Sequence, residues 1–108
     1  MIVVYGAMQV PDRVRAEFDA WMVDWVQRRR GDAGLIAINY LIPPERPEQS
    51  HVVEVWLDED SIVAARRTAA HHEYGEVAVP RFEIEQLWLH RWKSAEGYEF
   101  TGSDPAVA

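Results

Sequence analysis

Six hydrophobic segments follow one another in this chain in the order strand, helix, strand, strand, helix, strand, and few layered folds accommodate that order. Residues 1–10 are rich in β-branched side chains and stop at Pro11-Asp12, the pattern of a strand followed by a break. Asp12 is a candidate helix cap. Val14, Phe18, Trp21, Met22, Trp25 and Val26 then recur at helical spacing, with Arg13, Glu17, Asp24 and Gln27 on the opposite face. Arg28, Arg29 and Arg30 fall in the last turn, where the helix dipole favours cations, and Gly31 can end the helix. The three arginines are expected to act as a cap, with an anion site as the alternative. Residues 35–42 form the second strand, stopped by Pro43-Pro44, and a polar connector leads to a third strand at residues 51–57. On that strand Val52, Glu54 and Trp56 share one face, while Val53, Val55 and Leu57 share the other. Residues 58–61 supply caps and N-terminal acids for a helix over residues 61–75, which Gly75 is expected to end. Pro80 resets the chain, and residues 82–92 read as the fourth strand.

This β-α-β-β-α-β order predicts an α+β, ferredoxin-like split-βαβ fold, a four-stranded antiparallel sheet with two helices on one face. The domain is expected over residues 1–92, with a polar C-terminal tail at 93–108. The second and third strands are apolar on both faces, whereas a sheet with helices on one side and water on the other alternates more cleanly. Something must therefore cover the second face, and another copy of the chain is the simplest cover. A homodimer is expected.

Composition narrows the function classes. The 108 residues suit one domain. The absence of cysteine excludes disulfides, thiolate metal sites and thiol nucleophiles. Eleven Lys and Arg against 18 Asp and Glu leave a net charge of −7, which argues against a nucleic-acid partner. No apolar stretch approaches the ~20 residues of a membrane span, and the first ten residues lack a basic leader, so a cytoplasmic protein without a membrane partner is expected. Five Trp, four Tyr and three Phe suggest an aromatic-lined interior or interface. The histidines lack metal-ligand spacing and no Gly-rich nucleotide loop occurs, so neither metal nor cofactor is expected.

The segment VVEVWLDEDSIVAARRTAAHH, residues 52–72, resembles the antibiotic biosynthesis monooxygenase (ABM) domains of the dimeric α+β barrel superfamily. The shared pattern is a strand ending in Glu-x-Trp, an acidic turn, an Ala-rich helix and a His near its C-terminal end. The first helix is similar too, with its early Phe18, its Arg-rich last turn and a Gly before the next strand. The resemblance covers about residues 2–92. It implies a homodimer with a ligand cavity between sheet and helices in each subunit. It further implies oxidation of a phenolic, polyketide-like aromatic to a quinone by dioxygen, without a cofactor. Cyclases or dehydratases and non-catalytic ligand-binding dimers share similar folds, so these readings stand beside it. The sequence also departs from the pattern. The first strand holds no Asn, Val52 stands four residues before Trp56, and Ala65 stands where a His often follows.

The chemistry implied requires a base near neutral pH, donors to an anionic oxygen and apolar walls. Trp56 matches the family's strand Trp, so the resemblance implies that it lines the cavity, where its N–H would be free to donate to a substrate oxygen, with an ordinary core Trp as the alternative. His71 and His72 are the candidate bases. Adjacent helical residues diverge by about 100°, so only one is expected to face inward. Tyr74 could donate to a substrate carbonyl or simply close the helix onto the sheet. Asn39, polar in an apolar strand, is a candidate substrate contact or an interface residue. His90, between Trp88 and Trp92 on alternate positions, lies on a face that is either cavity or interface. Glu54 shares a face with Trp56 and could orient a histidine, act as base, or form a salt bridge at the sheet edge.

Overall fold

β-branched and aromatic residues build a four-stranded antiparallel sheet in a computed structural model that describes residues 1–93. The expected tail, from residue 94 onward, lies outside the described residues. The strands are β1 (Ile2–Gln9), β2 (Leu35–Leu41), β3 (Gln49–Trp56) and β4 (Glu85–Lys93), in the spatial order β2-β3-β1-β4. This is the ferredoxin-like α+β arrangement, with β1 and β3 central. Register places Ile2, Val4 and Gly6 opposite Trp56, Glu54 and Val52 on the face toward the helices. Val3, Tyr5 and Ala7 sit opposite Val55, Val53 and His51 on the other face. Glu54 therefore lies in the middle of the sheet, away from either edge.

A 3-10 turn (Asp12–Val14) leads into α1 (Arg15–Arg29). The Asp12 side chain makes no cap bond; the turn itself starts the helix, with Val14 N–H donating to Pro11 O at 3.1 Å. Phe18, Met22, Trp25 and Val26 pack on Met8, Ile38 and Val52 of the sheet. A large side chain such as Phe18, fully buried, would cost about 3–5 kcal/mol to truncate to alanine.

The second helical region differs from the expected single helix. Asp58 caps α2 (Glu59–Ala65), its carboxylate accepting from Ser61 N–H at 2.8 Å. Thr68 then restarts the helix. Its hydroxyl donates to Ala65 O at 2.7 Å and accepts from His71 N–H at 3.4 Å, opening α3 (Ala69–Glu73). Neither Gly75 nor Pro80 stops the chain. A π-turn (Tyr74–Ala78) follows, with Val79 N–H donating to Tyr74 O, and runs into α4 (Val79–Phe82) with Pro80 in its first turn. There the missing proline N–H costs little, and the wider π-turn before it makes room for the ring. Glu83, in the left-handed region at φ 53°, ends the helix, so β4 begins at Glu85 and Phe82 enters the core instead of a strand. Gly34, also left-handed, turns the chain into β2, and a Cβ there would lie 2.0 Å from Ser61 Oγ. Among the described residues no helix is long and apolar enough to cross a membrane.

Candidate functional site

A cavity of about 190 Å³ lies between the sheet and the helical layer. Its floor is formed by Val4, Gly6 and Met8 of β1 with Val52, Glu54 and Trp56 of β3, because alternate residues of paired strands share a face. Trp25 and Arg29 of α1 form one wall, Ile62 and Ala65 of α2 another. Arg66, His71 and Tyr74 follow along the second helical region, and Gln86 and Leu89 of β4 close the remaining side. Gly6 preserves the space, since a Cβ there would lie 3.1 Å from Leu89 Cδ1 and 3.3 Å from Gln86 Nε2. A bulge leaves Leu87 without a partner on β1, and the Gln86 side-chain amide bridges it by donating to Ala7 O (2.8 Å) and Trp88 O (2.9 Å).

Where the α1 wall meets the floor, a polar cluster is built around Arg29, only 2% exposed. Its Nη1 donates to Glu54 Oε2 at 2.5 Å and its Nε to Asp32 Oδ2 at 3.3 Å. The guanidinium carbon lies 4.5 Å from the Trp25 ring centre and 5.8 Å from that of Trp56. Trp56 Nε1 donates to the other oxygen of Glu54 at 3.0 Å. The indole N–H expected to meet a substrate is therefore already engaged, and Trp56, 1% exposed, offers the cavity its ring alone. Glu54 is likewise held from both sides, as a carboxylate bound to a buried cation rather than a sheet-edge salt bridge or an unoccupied base.

His71 and Tyr74 share a helical face three residues apart and both line the cavity. Partial burial holds the His71 imidazole below its ordinary pKa, and the positive charges of Arg29 and Arg66 push the same way against the opposing pull of Glu54. The neutral, proton-accepting form is thus favoured near neutral pH. Burial raises the Tyr74 phenol to about 12, so it stays protonated, and its O–H donates to Met8 Sδ at 3.3 Å. A thioether is a weak acceptor, so a ligand oxygen could displace it. Trp25 stands beside Tyr74 at 5.1 Å between ring centres, fixed by its N–H donating to Ala70 O at 2.7 Å.

Three candidates lie elsewhere. His72 points to the exposed side, 3.6 Å from Glu76, a pairing that the continued helix past Gly75 makes available. Asn39 is exposed and borders a separate depression of about 340 Å³ with Arg30 and Leu35 along the edge strand β2. Among the described residues that depression has no histidine or tyrosine in its lining. His90 pairs with Tyr5 across the strands and so occupies the face opposite the cavity, its ring 5.1 Å from both Trp88 and Trp92. Arg29, expected as a helix cap, instead continues the buried stripe of residues 18, 22 and 25 by one more turn. Arg66, which the sequence did not single out, stands one turn after the buried Ile62 and is exposed. Charge argues against burial of Arg29 until its partner carboxylate is known. Among the described residues no three His, Cys, Asp or Glu side chains converge as a metal site would require.

No family model matches the chain, and no curated protein matches it. Solved structures do. A "putative antibiotic biosynthesis monooxygenase" from Deinococcus radiodurans superposes with a TM-score of 0.82 at 14% identity, covering 94% of this chain and all of the other. The chain has the antibiotic biosynthesis monooxygenase fold. A conserved protein from Methanosarcina mazei Go1 matches at TM-score 0.77 and 20% identity, covering 87% of this chain and 92% of that one. A second "putative antibiotic biosynthesis monooxygenase", from Nitrosomonas europaea, matches at 0.74 and 12%, covering 87% and 98%. At these identities the likeness is one of fold.

Proposed function

We propose that the protein is a cofactor-independent monooxygenase that converts a small phenolic aromatic to a quinone, with His71 as the base. The observation that carries this reading is a histidine biased to its neutral form in the lining of a cavity shared with Tyr74, Trp25 and Trp56. Neutral His71 would take the phenol proton, and the phenolate would then release an electron to dioxygen. Combination of the aryloxyl radical with superoxide forms a C–O bond at the ring carbon para to the oxygen. Protonation by the imidazolium gives a hydroperoxide. Loss of the hydrogen on that carbon then breaks the O–O bond, leaving a quinone and water. One oxygen atom enters the ring, the other leaves as water, and the phenol is the reductant. Tyr74, protonated up to about 12, supplies a donor for the phenolate oxygen. An apolar cavity of about 150 Å³ holds a benzene, so the present volume suits a substrate of one or two rings.

The decisive experiment supplies 1-naphthol and isotopically labelled dioxygen. Equal consumption of both, with a single labelled oxygen in the naphthoquinone product, is the expected result. Absence of oxygen uptake with such phenols would overturn the reading. Loss of water from a polyketide-like substrate without oxygen would favour a cyclase or dehydratase instead.

The proposed assembly is a homodimer joined through the sheet face opposite the helices. Its support is the apolar and aromatic character of that face, where Val3, Tyr5, Val55, Trp88 and Trp92 lie together. Sedimentation at micromolar concentration should give twice the 12.5 kDa of one chain; a well-folded monomer would refute it.

A further inference from the structure

The charge of the ligand is encoded in the cavity wall. Four ionisable side chains other than tyrosine line it, namely Arg29, Glu54, Arg66 and His71. Arg29 pairs with Glu54 at 2.5 Å and with Asp32 at 3.3 Å, and Glu54 also accepts from Trp56. The Arg29 charge is thus countered by carboxylates of the protein itself. Arg66 is different. Among the described residues it forms no ion pair, as is true also of Arg30, Arg46 and Arg67, and of these four it is the one in the cavity lining. It stands in the turn after α2, exposed, and is one of the lining residues. In a chain of net charge −7, acids are plentiful, so an unpaired cation on the rim of an apolar cavity is a local reversal of sign. The groups facing His71 are Arg29, Glu54, Arg66 and His72, and Arg66 acts on it as a positive charge.

We propose that the cavity takes a planar aromatic acid whose carboxylate pairs with Arg66 while its ring lies against the apolar lining, Val52 and Ile62 among it. A guanidinium matches a carboxylate with paired N–H donors, and the apolar walls accept a ring but no second charge. Arg66 is then the specificity-determining residue, at the rim rather than the floor. This inference rests on the cavity being the functional site and adds the charge of what binds there.

The test compares 6-hydroxy-2-naphthoate with its uncharged primary amide, titrated under nitrogen and followed by quenching of tryptophan fluorescence. The wild-type protein should bind the carboxylate about fivefold to tenfold more tightly, for an ion pair still reached by solvent. The preference should shrink as salt is raised. Arg66→Gln should abolish it, Arg66→Lys should keep most of it, and Arg67→Gln, an exposed neighbour outside the lining, should leave it unchanged. Equal binding of the two ligands by wild type, failure of both to bind, or a preference that survives Arg66→Gln would each overturn the inference. A carboxylate preference without oxygen uptake on any phenol sustains it and overturns the oxygenase reading. Oxygen uptake on neutral phenols without a carboxylate preference does the reverse.

Discussion

The two faces of the sheet carry similar aromatic weight and differ in what those aromatics leave open. Toward the helices, Trp25, Trp56 and Tyr74 surround a cavity with an ion pair in its lining and His71 on its wall. On the opposite face the rings close on one another. Tyr5 stacks on Trp88 at 5.2 Å, Trp88 meets His51 and His90, and His90 meets Trp92. The Tyr5 hydroxyl lies 2.9 Å from His51 Nδ1. A histidine therefore occurs on both sides, and of His71 and His90 it is His71 that lines the cavity. Residue type does not mark the site; the vacancy left by Gly6 and by the broken second helix does.

The histidines give the sharpest way to break this comparison. His71→Gln should lower turnover about 100-fold or more, as removal of a general base does, while His90→Gln should stay within about twofold. In the wild type the rate should rise with pH along a limb lying below the ordinary histidine value of about 6.5, because the active form is neutral and its pKa is depressed. The same depression means that the folded protein binds fewer protons at His71 than the unfolded chain. Its contribution to stability is thus present above about 6.5 and is lost as pH falls through the lower, folded value. A rate profile unaltered in His71→Gln would move the base elsewhere.

Glu54→Gln tests the floor. Arg29 would then be buried without its nearest countercharge, and breaking such a pair costs about 3 kcal/mol, which urea denaturation would read directly. A loss of activity with unchanged stability would instead make Glu54 a reacting group. The smallest effect is expected from Trp56→Phe, which deletes one hydrogen bond to a charged partner. About 1–2 kcal/mol of stability should be lost, with turnover per folded molecule changed only a few-fold. A 100-fold fall in turnover without loss of stability would mean that the indole N–H leaves Glu54 to serve the ligand.

Much of this architecture is legible in the sequence because it depends on neighbours a few residues apart. Period-two alternation puts Val52, Glu54 and Trp56 on one face, and helical spacing puts Phe18, Met22 and Trp25 on one stripe. Asp58 announces its cap three residues before Ser61. The divergence of His71 and His72 is likewise a local fact. What local patterns cannot supply is the absolute direction of each face. Val52–Glu54–Trp56 and Val53–Val55 are both plausible core faces, and Trp88, His90 and Trp92 look no different from a cavity wall until β4 is paired with β1. The helix past Gly75 and Pro80 persists because Ala78 and Phe82 find a buried place against α1 and the sheet, which outweighs the propensity of two residues. Arg29 is read as a cap until Glu54, 25 residues away, arrives to pair with it. Sequence determined the elements and which residues of each stand together; tertiary packing decided which of those groups enclose a cavity, because burial and charge pairing depend on partners distant along the chain.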